Sequence, residues 1–249
     1  MIPIKSPQDV IKMQEGGKIL ASTIEKVIEA LKPGVSELDL ENIAVAEIIK
    51  GGGKPSFKMV PGYKHALCLA TNDAIVHGIP GQYHFKEGDV VGIDCGVFYK
   101  GFHTDMSESA IVGSIDKETE KFLTIGKKAL LEAIAEAKVG NRIGHISKKI
   151  QDIVEGSGYS VVRTLIGHGV GEELHEEPEV PGFLDRKIEQ TPLLKEGMTL
   201  AIEVIYNMGC KETKYDQDGW TIRTKDGKVS GLFERTVAIT NDGPVILTQ

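Results

Sequence analysis

The stretch Val90–Met106, VVGIDCGVFYKGFHTDM, combines an apolar run, a turn and two aspartates. The apolar run ends at Asp94, and Tyr99-Lys100-Gly101 is a predicted turn before a returning segment that carries Asp105. An apolar run bounded by turn residues predicts a buried strand, and a glycine at a tight reversal predicts a hairpin. Two carboxylates facing inward on paired strands repel each other unless a cation lies between them. The stretch therefore encodes either two solvated aspartates at the mouth of a hairpin or part of a cation site.

A second copy of the pattern favours the cation site. Residues 86–94 (KEGDVVGID) align with residues 195–203 (KEGMTLAIE), and each copy closes on isoleucine followed by a carboxylate. Downstream, residues 101–105 (GFHTD) resemble residues 231–234 (GLFE). A duplicated fold whose halves face each other would bring four carboxylates to one point, where they require metal ions. The four acids are Asp94, Asp105, Glu203 and Glu234.

Composition limits the class of protein. The 249 residues, 41% of them apolar, are enough for one large α/β or α+β domain with a sizeable core. A net charge of −7 without a basic cluster argues against direct nucleic-acid binding. Three cysteines (Cys68, Cys95 and Cys210) without CxxC spacing argue against disulfides and a zinc knuckle. Because no apolar leader opens the sequence and no run of about 18 apolar residues occurs, we expect a soluble, cytoplasmic protein that does not bind membranes.

Helices and strands are predicted to follow the same order in both halves of the chain. Ser6 is a predicted N-cap with Pro7 at the first helical position. The predicted helices span residues 7–31, 36–50, 117–138 and 143–154. The predicted strands lie at residues 66–70 and 74–80 and around Val161, Ile202, Ile222 and Val237. We therefore expect one catalytic domain, residues 1–249, with an internal pseudo-repeat at roughly 1–113 and 114–249.

A histidine-containing segment lies between the two copies, at residues 166–178 (IGHGVGEELHEEP). Three glycines around His168 give a backbone that can approach a ligand closely. Imidazole is a good ligand for divalent transition metals. A histidine in a glycine-rich loop is often only a turn residue, but the predicted carboxylate cluster and the nearby His175 favour a ligand here.

Together with His77-Gly78-Ile79-Pro80, this segment resembles the methionine aminopeptidases of type I, the bacterial form. The resemblance covers nearly the whole chain, which is little more than a catalytic domain and has neither a zinc-finger extension nor a long helical insertion. It implies an α/β (α+β) pita-bread fold, also called the creatinase/aminopeptidase fold. In that fold a pseudo-twofold repeat of helices and antiparallel strands surrounds a dinuclear metal centre.

The resemblance also implies the metal ligands and the ions. Four of the five ligand positions are the acids that the internal repeat selects on its own. They would hold two divalent ions, Co, Mn or Fe, with Zn as an alternative. Family members can also hold one monovalent cation, Na or K, near backbone carbonyls that correspond to Asn72, Ala74 and Ser230. The implied divalent-metal ligands are Asp94, Asp105, His168, Glu203 and Glu234.

The implied reaction removes an N-terminal methionine that precedes a small residue, by attack of a metal-activated water on the scissile carbonyl. Glu203 would carry the proton from the water to the leaving amine. His175 would donate to the developing oxyanion, and His77 would lie near the scissile amide nitrogen. His77 and His175 would also border the methionine pocket, whose walls would be Tyr63, Cys68, Leu174 and Trp220.

The sequence departs from the family pattern near this pocket and near the last ligand. Leu174 replaces a phenylalanine common in bacterial relatives, and Val60 stands where an aromatic residue often lies. Arg235 replaces a histidine that often follows the last ligand. Strand alternation predicts that the Arg235 side chain points away from Glu234 and does not contact the metals.

Two other functions share the fold. A prolidase or aminopeptidase P, cleaving Xaa-Pro bonds, would have the same five ligands, but such enzymes usually carry an extra N-terminal domain and lack the His-Glu-Glu-Pro run. A pita-bread protein that only binds partners typically loses ligands, and this chain keeps all five. The main hypothesis predicts methionyl peptides and nascent chains as substrates, association with the ribosome, and a monomer.

Overall fold

The computed structural model describes residues 2–249, which form four α-helices, two short 3₁₀ turns and thirteen strands. The helices are α1 (Pro7–Ala30), α2 (Glu37–Lys50), α3 (Lys117–Ala135) and α4 (Ile143–Gly156), and the 3₁₀ turns are Phe57–Met59 and Ile188–Gln190. The strands are β1 (Lys54–Pro55), β2 (Leu67–Thr71), β3 (Ala74–Val76), β4 (Val90–Tyr99), β5 (Phe102–Ile111), β6 (Ser160–Val161), β7 (Gly167–Gly169), β8 (Glu176–Val180), β9 (Thr199–Asn207), β10 (Thr213–Tyr215), β11 (Ile222–Thr224), β12 (Ser230–Thr240) and β13 (Gly243–Ile246). Within this range, none of the helices has the length and apolarity needed to cross a membrane.

The predicted helices are confirmed, with small changes at their ends. Ser6 caps α1 by a capping box, in which its hydroxyl and the Asp9 carboxylate each accept a backbone N–H of the other residue. The same arrangement begins α2. Helix α3 ends at Ala135, earlier than predicted, because Glu136 and Ala137 donate to carbonyls three residues back instead of four.

A ten-stranded antiparallel sheet forms the centre of the fold. Its main strand order is β1-β4-β5-β12-β9-β7-β8, while β2, β6 and β13 pair with β4, β9 and β12. Helices α1 and α2 pack under β2 and β4, and α3 and α4 pack under β9 and β12. The four long strands β4, β5, β12 and β9 are arranged symmetrically about the β5–β12 contact, as the predicted pseudo-twofold repeat requires. A smaller sheet, β10-β11-β3, stands beside it.

Strand alternation separates the core from the opposite face of the sheet. In β4, Val91, Ile93 and Cys95 pack against the first helix pair. In β9, Leu200, Ile202 and Val204 pack against the second pair. The residues between them, which include both acids of the aligned copies, therefore face away from the helices.

The β4–β5 hairpin is formed as predicted from the opening stretch. Tyr99 pairs with Phe102, and the two-residue loop between them has φ values of 48° at Lys100 and 91° at Gly101. Positive φ at both loop positions is the type I′ geometry that matches the twist of the flanking strands. The hairpin places Asp94 and Asp105 on one face, because Asp94 lies opposite Ser107, which is two residues from Asp105 on the same strand.

The strand register corrects the predicted match between the second parts of the two copies. Asp94 pairs with Ser107, Ser107 with Glu234, and Glu234 with Glu203, so one row crosses β4, β5, β12 and β9. With Asp94 equivalent to Glu203, the equivalent of Glu234 is Ser107, and the predicted match of Asp105 with Glu234 is wrong. A two-residue loop joins β4 to β5, whereas residues 208–229 join β9 to β12. The number of residues between the connection and the acid therefore differs between the two halves, which misaligns the sequence match.

Candidate active site

Five side chains from both halves of the sheet meet on the face opposite the helices. Asp94, Glu234 and Glu203 lie in the row described above, and Asp105 lies two residues before Ser107 on the same face. His168 of β7 pairs with Ala201, two residues before Glu203. Three of the five, Asp105, His168 and Glu234, each offer a ligand atom within 4.8 Å of the other two.

The backbone next to His168 fixes which of its ring nitrogens faces the acids. Nδ1 lies 2.8 Å from the carbonyl oxygen of Gly169, which can only accept, so Nδ1 carries the proton. Nε2 lies 3.6 Å from Glu203 Oε1. Burial, with a smaller contribution from His175, lowers the pKa of His168 to about 4. At neutral pH the ring is therefore uncharged, and the Nε2 lone pair faces the carboxylates as a metal ligand would.

The four carboxyl groups destabilise one another's charges. Burial is the largest cause in each case and raises the pKa of Asp105 to about 7. The pKa values of Asp94, Glu203 and Glu234 also lie well above their usual range, because of burial and then of the neighbouring acids. Four buried acids this close need a positive charge among them to remain ionised at neutral pH.

The donor set fits divalent metal ions. Asp94 Oδ1 is buried and has no hydrogen-bond donor among residues 2–249. Arg235 follows Glu234 in the sequence, but its side chain lies on the opposite face of the sheet. There it donates to Glu108 Oε2 at 2.5 Å and to the Ser107 carbonyl at 3.0 Å. The predicted direction of Arg235 is confirmed. Oxygen ligands with one imidazole suit ions such as Mn, Fe or Co.

The metal-free protein should lose stability as the pH rises from 6.5 to 8. The folded state holds a proton on Asp105 up to its pKa of about 7, whereas the unfolded group, with its usual pKa of 3.8, is already ionised. The folded state thus binds more protons in this window, so stability falls with pH, by on the order of 1 kcal/mol from this group alone. We expect the Tm of chelator-treated protein to fall by about 2–4 °C in calorimetry. The buried histidines, whose pKa values are lowered, oppose this fall by less than about 0.5 kcal/mol each, while the raised pKa values of Asp94, Glu203 and Glu234 add to it.

Two comparisons control this measurement. In protein loaded with Mn²⁺, the Tm should depend less on pH, because the bound ion keeps the acids ionised between pH 6.5 and 8. Asp105→Asn should also reduce the fall of Tm with pH in the metal-free protein. A metal-free Tm that stays constant or rises between pH 6.5 and 8 would contradict a buried carboxylate cluster.

Two further histidines border the cluster. The His175 ring lies 4.4 Å, centroid to centroid, from that of His168. His77 has a left-handed backbone with φ of 57°, a strained conformation that is found at functional sites more often than elsewhere. Burial lowers the pKa of both His77 and His175, so each ring is neutral at pH 7. Both rings line the cavity beside the acids, where each can donate a hydrogen bond as a neutral group.

The acids open into a cavity of about 370 Å³. Every residue predicted from the sequence to bind the divalent metals or the substrate, or to carry protons, lines this cavity, whereas Asn72, Ala74 and Ser230, predicted near a monovalent cation, do not. Its apolar end is built by Tyr63, Cys68, Leu174 and Trp220. The Tyr63 hydroxyl donates to the Leu67 carbonyl at 2.7 Å, which fixes the ring, and the Trp220 ring centroid lies 5.2 Å from that of Tyr63.

Several lining residues were not assigned from the sequence. Ile205 and Leu232 line the cavity two residues from Glu203 and Glu234, on the same faces of β9 and β12, so strand alternation could have identified them. Phe57 and Val60 come from the irregular segment before β2, where no periodic signal exists. His103 is also close: burial is the main cause that lowers its pKa to about 4, and His175 contributes.

Comparison with known proteins agrees with this geometry. The profile of metallopeptidase family M24 matches residues 11–241. A methionine aminopeptidase from Clostridium perfringens is 44% identical over 248 residues, covering 100% of this chain and 99% of its own length. The crystal structure of methionine aminopeptidase from Thermotoga maritima superposes with a TM-score of 0.97 at 38% identity, covering 100% of both chains. A prolidase from Pyrococcus furiosus shares the fold, with a TM-score of 0.80 at 24% identity over 65% of its chain.

Proposed function

The chain belongs to metallopeptidase family M24, and we propose that its cavity binds an N-terminal methionine and hydrolyses the peptide bond that follows it. The activity is that of a methionine aminopeptidase, a metallo-exopeptidase. One observation carries the assignment to these residues: a single cavity joins an apolar pocket to a cluster of four acids and three histidines. The pocket takes the side chain, and the cluster lies beside the bond that is cut.

The pocket suits the methionine side chain. Methionine is unbranched and flexible, and its sulfur makes favourable contacts with aromatic rings. Tyr63 and Trp220 offer two such rings, and Leu174 and Cys68 complete an apolar wall. Leu174 gives the wall a smaller side chain than the family's common phenylalanine, so we expect a wider pocket on that side.

We assign a separate task to each polar side chain near the scissile bond. Asp94, Asp105, His168, Glu203 and Glu234 would hold two divalent ions, whose Lewis acidity polarises the scissile carbonyl and lowers the pKa of water. Glu203 accepts a proton from the attacking water at its carboxylate and passes it to the leaving amine. His175 donates to the carbonyl oxygen as negative charge develops, and His77 holds the scissile amide nitrogen. Crowding by these three side chains favours a small residue after the methionine.

The same proposal extends to the ions. The oxygen-rich donor set favours Mn, Fe or Co over zinc, which prefers closed tetrahedral sites when it is structural. We also propose a monovalent cation, Na or K, near the carbonyls of Asn72, Ala74 and Ser230. The buried Oδ1 of Asn207, which has no donor among the described residues and lies opposite Ser230 in the sheet, supports an electropositive partner there.

We propose that residues 1–249 act as one catalytic domain and as a monomer, because one continuous sheet supplies all five side chains assigned to the divalent metals. Because nascent chains carry the substrate methionine, we propose that the protein acts in the cytoplasm, in association with the ribosome. The three free cysteines fit a reducing compartment.

Substrate choice tests the proposal. The protein loaded with Mn²⁺ should cleave Met-Ala-Ser at least about 10- to 100-fold faster, in kcat/KM, than Ala-Pro or Met-Leu-Ser, because the pocket discriminates by side-chain fit. Product amino acids would be measured by chromatography at several Mn²⁺ concentrations. Faster cleavage of Ala-Pro would favour an Xaa-Pro peptidase. An absence of cleavage of all three peptides by metal-loaded protein would favour a protein that only binds partners.

A further inference from the structure

The segment that precedes α1 reaches the loop that carries His175. Its residue Lys5 donates its backbone N–H to the carbonyl of Gly197 at 2.7 Å, just before β9. The Lys5 ammonium pairs with the carboxylate of Glu176, the residue that follows His175. The two side chains are only 4% and 7% exposed, so the ion pair is buried.

Glu176 holds the loop in its observed shape. Its other carboxylate oxygen, Oε1, accepts the backbone N–H of Glu173 at 3.2 Å. The carbonyl of Glu173 in turn accepts the N–H of Gly171 at 3.0 Å. The backbone of Glu176 also pairs with Gly169, next to His168 in β7. Glu176, through its side chain and its backbone, therefore connects both ends of the loop that runs from His168 to His175.

Lys5 fits into this loop only because of a glycine. A Cβ atom added to Gly171 would lie 2.2 Å from Lys5 Cε, well inside van der Waals contact. Among residues 2–249, Lys5 is the cation that pairs with Glu176. A buried carboxylate that loses its cation must take up a proton or move toward water. Either change in Glu176 would displace His175, the residue immediately before it.

We propose that Lys5 is a positioning residue that acts through Glu176 to hold His175 against the carbonyl group of the substrate. Lys5 does not line the cavity, so it acts without touching the substrate. This inference rests on the proposed role of His175 as oxyanion donor. The ion pair connects the N-terminal segment to the chemical step, although Lys5 and Glu176 are 171 residues apart in sequence.

Lys5→Met tests the positioning role. At saturating Mn²⁺ we expect kcat for Met-Ala-Ser to fall by about 10²-fold, because a small displacement of a reacting group is enough to cause such a loss. KM and the Mn²⁺ dissociation constant should change by about twofold or less. Lys5→Arg should recover most of the rate, since it restores the buried cation. Lys12→Met is the matched control, because the Lys12 side chain, 42% exposed, pairs with Asp9 in the same region, and the kcat of this variant should not change.

A double-mutant cycle with His175→Ala decides between positioning and general structure. If Lys5 acts through His175, Lys5→Met should lower kcat by about twofold or less in the His175→Ala background. The full loss in that background would overturn the inference while leaving the proposed role of His175 intact. A normal rate in His175→Ala alone would overturn both. Where Lys5→Met does not fold, Glu176→Gln carries the same test, and failure of both variants to fold would make the pair a requirement of the fold and overturn the positioning role.

Discussion

Glu203→Gln should lower kcat/KM for Met-Ala-Ser by about 10²–10⁴-fold or more, because the amide cannot accept and release a proton. The substitution keeps the size of the side chain and its place in β9, opposite Glu234 and beside His168 Nε2. An amide is also a weaker metal ligand than a carboxylate, so metal affinity should fall as well. Rates measured across a Mn²⁺ titration separate these two effects, since the loss that remains at saturation belongs to proton transfer.

Glu108→Gln is the control for this experiment. Glu108 also lies on a strand of the central sheet, but on the other face, where it pairs with Arg235 and Lys127. Its rate and its metal affinity should stay close to those of the unsubstituted protein. Turnover of Glu203→Gln close to that of Glu108→Gln, at saturating Mn²⁺, would show that Glu203 does not carry the proton.

The sequence predicts the carboxylate cluster because alternation and duplication act together. In each copy an apolar run leads to an acid, and strand alternation places Asp94 and Glu203 on the face away from the helices, although β4 and β9 continue beyond them to Tyr99 and Asn207. The hairpin turn at Lys100-Gly101 and the N-cap at Ser6 are also local signals, carried by a few adjacent residues. Such features depend on short-range sterics and hydrogen bonds, so they can be predicted from one sequence.

The register between the halves cannot be predicted in this way. Glu234 lies opposite Ser107 because β5 and β12 meet at the centre of the sheet, and no local signal specifies that pairing. The sequence match of Asp105 with Glu234 gave the right cluster through a wrong equivalence. The buried pair of Lys5 and Glu176 is another case, because nothing near either residue indicates a partner at the other end of the chain.

The pocket was predicted by resemblance more than by physical reasoning. Trp220 comes from the β10–β11 connection and Tyr63 from the irregular segment before β2, and they meet only because both segments pack over the same cavity. A lone tryptophan gives no sign of this in the sequence. Ile205 and Leu232 are different, since their spacing from Glu203 and Glu234 in β9 and β12 already defines the face that they share.

His168→Ala should lower both metal affinity and turnover, because His168 Nε2 faces the acids while Nδ1 is engaged by the Gly169 carbonyl. The loss of one imidazole ligand leaves an oxygen-only set with weaker affinity for transition metals. Turnover of Met-Ala-Ser should therefore be poor at low Mn²⁺ and should recover in part at high Mn²⁺. Calorimetric titration of Mn²⁺ into the metal-free variant measures the affinity directly.

His175→Ala should behave differently, although its ring is only 4.4 Å from that of His168. Among residues 2–249, His175 forms no ion pair with the acids, and it borders the cavity where the scissile carbonyl would lie. Losing one oxyanion donor should cost about 10²–10³-fold in kcat. The Mn²⁺ affinity should stay normal, and added Mn²⁺ should restore nothing. His84→Ala, which changes an exposed histidine bonded to the Gln82 carbonyl, should leave both quantities unchanged. If His175→Ala loses Mn²⁺ as severely as His168→Ala, both rings act as ligands and the division of roles between them is wrong.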